Sequence, residues 1–259
     1  MSTVSDVPIP PEPPSTGRAA GIVVARELAS YFETRIAPVY GTAFILLANL
    51  LFMNEFFLLG TADMSGWFVR LPLLAAVFLP AVTMRSWAEE RRQRTLEVLL
   101  ALPVTPGAPV IGKFVASLGL YCIFLAGSLP IVAMVAWLGR PDWGRICAAY
   151  LGAVLLGVLF LAAGQLVSAL TADQIVAFVV SAVLLILLVV LGDPRVAAVL
   201  DGLAPVLAAG TFLRDVISPI PYFETFAQGV VAFAGLVYFL GTAAVLLAST
   251  ALVLTLNRP

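Results

Sequence analysis

Apolar positions along this chain gather into long runs. A membrane helix needs about 20 mainly apolar residues, and six runs reach that size: 39–59, 67–84, 114–138, 146–170, 175–192 and 230–256. A further run, Val196–Ala209, is shorter and broken by Asp201, Gly202 and Pro205. It reads as a re-entrant or interfacial helix, since it cannot span. Ahead of the first long run, Val24, Leu28, Tyr31, Phe32 and Ile36 recur at helical spacing, with Arg26, Glu27, Ser30, Glu33 and Thr34 on the other side. This pattern predicts an N-terminal amphipathic interfacial helix that turns into the membrane at Pro38, serving either as a plain anchor or in gating. The predicted fold is therefore all-α integral membrane. It has six transmembrane helices, this interfacial helix, a short helix between spans two and three, and short re-entrant or outer helices between spans five and six.

Composition sharpens that picture. Hydrophobic residues make up 61% of the 259 and charged residues 11%, against roughly 45–50% and about 25% in soluble domains. A soluble enzyme, a disordered protein and a basic nucleic-acid binder are excluded, and the formal net charge of −1 offers nothing to attract nucleic acid. The lipid bilayer is the first partner. Histidine is absent, which removes the commonest general base and transition-metal ligand. Cys122 and Cys147 lie in or beside apolar runs and read as small buried hydrophobes. Residues 1–17, with five prolines, two acids and no Lys or Arg, read as a disordered cytoplasmic tail, leaving 18–259 as the transmembrane domain.

Charge also sets orientation. Six spans put both termini on one side. That side then holds Arg18, Arg26, Arg35, Arg85, Arg91, Arg92, Arg94, Lys113 and Arg258, against Arg70, Arg140, Arg145, Arg195 and Arg214 on the other. The excess of cations makes both termini cytoplasmic, and it places Trp67, Trp137 and Trp143 at the outer interface as an aromatic belt.

The segment between spans two and three carries the strongest functional signal. Arg85, Glu89, Glu90, Arg91, Arg92 and Arg94 fall within ten residues. At about 2.5 kcal/mol or more each, placing them at the bilayer centre would cost roughly 15 kcal/mol, so they lie outside the hydrocarbon. Beyond them Leu96, Leu99 and Leu100 share one helical face, while Glu90, Arg94 and Glu97 share another at pairing distance. Pro103 ends the pattern. A stiff charged helix fixed between two spans can pass force from a soluble partner to both. The stretch Gly107–Phe114 nearly matches the phosphate-binding loop, but Phe114 stands where a hydroxyl must hold Mg²⁺ and Pro109 removes a donor. The chain thus has no ATP site of its own, and Lys113 reads as snorkelling at the inner start of span three.

Within the spans, Glu55 and Arg70 are the ionisable candidates, pairing across spans one and two or reaching outward separately. Asn49, Gln165 and Ser168 read as hydrogen-bonding groups that hold helices together. Asp173 and Gln174 occupy the inner turn between spans four and five, a secondary contact for a cytoplasmic partner, with Thr171 as the N-cap of span five. No set of groups converges as catalysis would require.

Four blocks of residues resemble type 2 ABC transporter permeases, most closely the permease subunit associated with gliding motility. They are Arg26-Glu-Leu-Ala-Ser-Tyr-Phe32 with Ala37-Pro-Val-Tyr40; Trp87-Ala-Glu-Glu-Arg-Arg-Gln-Arg-Thr-Leu-Glu97 through Leu102-Pro-Val-Thr105 and Gly112-Lys-Phe114; Ser168 through Phe178; and Ser218 through Gly229. The family commonly has Gly at Arg94 and Ser-Pro at Thr34-Arg35. The resemblance implies a half-transporter in a bacterial inner membrane. It pairs with a second permease and rests on a cytoplasmic ATPase subunit that binds ATP and Mg²⁺, while this chain binds no cofactor. A companion protein with a periplasmic domain is a further implied partner. Glu89–Leu100 would be the coupling helix, with Glu89, Glu90, Arg91, Arg92, Arg94, Glu97 and the leucines at the contact. The alternative is a subunit that moves no cargo and only transmits force or scaffolds a motility partner.

Overall fold

The computed structural model describes residues 16–33, 36–59, 63–93, 107–139, 141–203 and 208–256, and every regular element among them is helical. In chain order they are α1 (Thr16–Glu33), α2 (Ile36–Leu59), α3 (Ser65–Thr83), α4 (Ala88–Arg92), α5 (Gly107–Ala126), α6 (Leu129–Leu138), α7 (Trp143–Leu170), α8 (Gln174–Val190), α9 (Pro194–Leu203), α10 (Ala209–Phe212), α11 (Ile220–Ala227) and α12 (Phe233–Leu256). A single π-helical turn, Leu213–Ile217, follows α10. Five stretches are long and apolar enough to cross a membrane: those of α2, of α3 with its continuation to Arg92, of α5 with α6, of α7 and of α12. A sixth candidate is α8 with α9, which meet at a bend of 84° and pass the same test only as a pair. The chain is a multi-pass membrane protein.

The bundle is built around α7. Of its apolar window 78% is buried, against 28% for α2 and 22% for α12. Helices α3, α5, α8, α11 and α12 all pack on it. Small residues allow this approach, as expected where lipid supplies no hydrophobic drive between helices and close packing must hold them. A Cβ on Gly157 would lie 2.1 Å from the Tyr121 ring, and one on Gly164 would lie 2.2 Å from Thr83 Oγ1. Tyr121, fully buried, closes the α5 contact by donating to Ala153 O at 3.1 Å.

Local chemistry explains the breaks. Span three divides at Gly127-Ser128, because Pro130 at the start of α6 has no N–H to continue the ladder. Ile45 fills the space where a Gly127 side chain would stand, and Asn49 Nδ2 donates to Gly127 O at 3.2 Å. At the start of α7, Asp142 Oδ1 accepts from the Arg145 amide. At the start of α8 the cap is Asp173, accepting from the Ile175 and Val176 amides at 2.7 and 3.2 Å. Thr171 instead ends α7 and donates to Val167 O. This corrects the expected cap. A carboxylate two residues nearer the helix reaches both orphan amides, which one hydroxyl at position 171 does not.

Four further readings change. Helix α2 already begins at Ile36, so Pro38 sits in its first turn, where the missing N–H does no harm. Helix α1 lies against α5 and turns Glu27 toward the body, while Phe32 of its apolar stripe is 56% exposed. Trp67 is buried between Phe68 and Tyr150, leaving Trp137 and Trp143 as the exposed rings of that end. Both cysteines are exposed on the bundle's outside.

Two ends result. One gathers α1, the α3–α4 joint, the start of α5 and the ends of α7 and α12, with Arg26, Arg85, Arg91, Arg92 and Lys113. It is the basic end by its count of Lys and Arg alone, since Glu27, Glu33, Glu89, Glu90 and Asp173 lie there too. The other gathers the starts of α3 and α7, the end of α6, and the segment α9–α11.

Candidate functional site: the joint between α3 and α4

The helix is interrupted after Thr83, although Ser65–Arg92 still forms one apolar span. Over Met84–Trp87 the backbone leaves α3 as a turn, and α4 starts at Ala88. Two amides at that start have no partner in their own helix. Both find Ser168 on α7: its Oγ accepts from Trp87 N at 3.1 Å and Ala88 N at 3.2 Å, and donates to Met84 O at 3.1 Å. One hydroxyl thus caps a helix more than eighty residues away, a helix-binding role that matches the expectation for Ser168.

Trp87 fixes the joint by packing. Its side chain is 1% exposed and sits with Val110, Ala169 and Leu254, from the start of α5 and the ends of α7 and α12. The Lys113 ammonium lies 5.0 Å from its ring centroid, a geometry in which the cation is drawn to the ring face.

Lys113 therefore does not snorkel. Its side chain is 4% exposed, and Nζ lies 2.9 Å from Glu90 Oε1 and 3.2 Å from Glu27 Oε1. Arg26 joins at 3.2 Å from Glu27 and 3.7 Å from Glu90. Among the described residues two cations face two carboxylates. The Lys113 arms are shielded, whereas the Arg26 arm is 64% exposed and correspondingly weak. Burying the ammonium is tolerable because both neighbours are its counter-ions. Below it, Tyr31 shares a hydrogen bond with Ser117 Oγ at 3.3 Å, and burial pushes its phenol pKa up. The near match to a phosphate loop lies inside α5 as continuous helix, with Gly112 and Lys113 buried.

The expected partner-facing residues divide. Glu90 is turned inward. Arg92 and Gln93 are exposed, Glu89 and Arg91 are half-buried, and Gln93 Nε2 donates to Glu89 Oε1. Arg94, Leu96, Glu97, Leu99 and Leu100 lie outside the described residues. Asp173 spends its Oδ1 on capping α8, and Gln174 is the first residue of that helix. Arg70 Nη1 donates to Gly66 O at 3.1 Å within its own helix, and the side chain of Glu55 lies outside those described. Gln165 departs from expectation. It is fully buried, yet neither amide atom has a hydrogen-bond partner among the described residues. Ala162 and Ala169, on the same α7 stripe, face Ala243 and Leu254, so the surroundings of that stripe are apolar.

A bundle of five or six candidate crossings with a charged cluster at the α3–α4 end defines the class as a multi-pass membrane protein. The profile of the ABC-2 family transporter proteins matches residues 23–256. The chain belongs to that family, whose domains are membrane components and not ATPases. The match stands at this level and does not extend to the gliding-motility branch. No curated protein sequence matches the chain.

Proposed function

We propose that the chain is the permease subunit of an ABC exporter, with the basic end facing the cytoplasm and a separate ATPase subunit docking there. The reading is supported by family membership, by the cation excess at that end, and above all by the construction of the α3–α4 joint. Ser168 ties the α4 start to α7, Lys113 ties Glu90 to α5 and α1, and Trp87 touches α5, α7 and α12. A push on the exposed Arg92–Gln93 end of α4 would reach four helices through those links. ATP and Mg²⁺ would be held by the partner, and a second permease would complete the pathway. In this scheme Glu90 is an anchor, and Glu89, Arg91 and Arg92 supply the contact.

The test is a photo-crosslinking residue in place of Arg92 in the full chain in native membranes. An adduct with an ABC ATPase, together with reduced ATP turnover of the purified complex in Arg92→Glu, is expected. Adducts confined to lipid and to the chain itself, with turnover unchanged, would overturn the reading. ATP turnover that moves no cargo would instead select the force-transmitting alternative.

A further inference from the structure

The end opposite the joint holds a cleft of about 240 Å³ between the start of α3, the end of α6 and the start of α7. Pockets for drug-sized ligands run from about 300 Å³ upward, so this one suits a smaller group. Its walls combine Met64, Val135 and Ile146 with three charges, Asp63, Asp142 and Arg145. Arg145 is held in place by Nε donating to Ala227 O at 3.1 Å, and its Nη1 stands 3.7 Å from Asp63 Oδ2, a loose approach. Asp63 also accepts from Ser65 N and Oγ, and Asp142 from Arg145 N. Both members of the Asp63–Arg145 pair remain well exposed, at 49% and 39%. Among the described residues the cleft thus presents one fixed cation flanked by two carboxylates, and the exposed Trp137 and Trp143 lie on the two helix ends, α6 and α7, that supply its walls. Such rings mark the level of lipid headgroups.

We propose that this cleft binds a zwitterion carrying a primary ammonium and a phosphate, the headgroup chemistry of phosphatidylethanolamine. The guanidinium suits the phosphate by paired N–H donation. The two carboxylates suit the ammonium, whose three donors a quaternary amine lacks. An anion alone would meet two like charges, and a cation alone would meet Arg145. The exposed rings on the same two helix ends favour the lipid-borne form over a dissolved one. The inference is independent of the permease reading, because it needs neither an ATPase nor transport.

The experiment uses the full chain in nanodiscs of phosphatidylcholine, with phosphatidylethanolamine or phosphatidylglycerol added as a minor component, and reads retained lipid by native mass spectrometry. A parallel arm titrates free phosphoethanolamine and reads the thermal midpoint. Phosphatidylethanolamine is expected to be retained at least tenfold over the other two. Asp63→Asn/Asp142→Asn, which keeps the capping oxygens, should abolish that preference, and Ile146→Phe should do so by filling the cleft while the fold persists. A midpoint shift with free phosphoethanolamine that the double variant loses would support the same site with a soluble source. Equal retention of the three lipids with no response to phosphoethanolamine would overturn the proposal. So would a preference that survives in both variants.

Discussion

The α3–α4 joint lies within one apolar stretch and the α9–α11 segment follows the 84° bend after α8, and they are tied down in opposite ways. In the joint the ties join residues far apart in sequence: Trp87 to Ser168, Glu27 to Lys113. Across α9–α10 and the π-turn the hydrogen bonds are mostly short-range, while α11 is fixed to α7 through Phe223, Phe226 and Ala227. Asp201 caps the turn at Gly210 and Thr211, Tyr222 donates to Asp215 O, and Tyr238 donates to Ile217 O while stacking on Tyr222 at 4.3 Å. Gly210 lets this segment close, since a Cβ there would lie 2.0 Å from Ala197 O. A unit tied to itself holds its own shape. A unit tied to four distant helices moves when they move. Under the proposed coupling, the first arrangement would serve as a cap and the second as a lever.

Substitutions can break or sharpen that contrast. The largest effect is expected from Trp87→Ala, which empties a shared pocket and should lower stability by about 3–5 kcal/mol, read as thermal unfolding of the whole chain. Lys113→Met comes next. It leaves two carboxylates facing each other, and we expect a loss of about 3 kcal/mol. The triple variant with Glu27→Gln and Glu90→Gln should recover most of it; no recovery would mean that the ammonium acts through packing alone. Ser168→Ala strands the Trp87 and Ala88 amides and should cost about 1–3 kcal/mol, with a greater relative loss of partner-stimulated ATP turnover.

On the other side of the comparison, Ser218→Ala removes a buried hydroxyl that donates to Leu188 O at 2.8 Å and accepts from Ile220 N. A loss of about 1 kcal/mol is expected, confined in hydrogen exchange to 188–222. If the whole bundle loosens equally, the division into lever and cap fails. The smallest effect concerns Asp201, whose carboxyl is held below its ordinary pKa by the Thr211 hydroxyl and then by the Thr211 and Gly210 amides. Its contribution is therefore present above the ordinary aspartate value and is lost as pH falls through the lowered one. Exchange at Gly210 and Thr211 should rise in acid, and Asp201→Asn should remove that dependence.

How much of this was legible depends on whether a feature is local. The long apolar helices agree with the apolar runs to within a few residues at most ends, and the run at Val196–Ala209 overlaps the short helix α9, Pro194–Leu203. Span three starts earlier than its apolar run, at Gly107, because the lysine that seemed to limit it is neutralised by Glu27 and Glu90. The charged segment was recognised as a unit, but which of its acids faces inward was not. Glu89 and Glu90 are adjacent and chemically alike, and only α5 distinguishes them. Gln165 looked like an interhelical hydrogen-bonding group by residue type, and its apolar surroundings come from helices that sequence spacing does not bring together.

Sequence alone determined that the chain crosses a membrane several times and where its charges must stay. Length and hydropathy suffice for this, because in lipid each crossing must satisfy its own backbone and exclude unpaired charge. The tertiary structure decided that Lys113 is buried, that Ser168 caps a distant helix, and that Asp63, Asp142 and Arg145 share one cleft. Those are relations between segments brought together by packing, and no local pattern contains the partner.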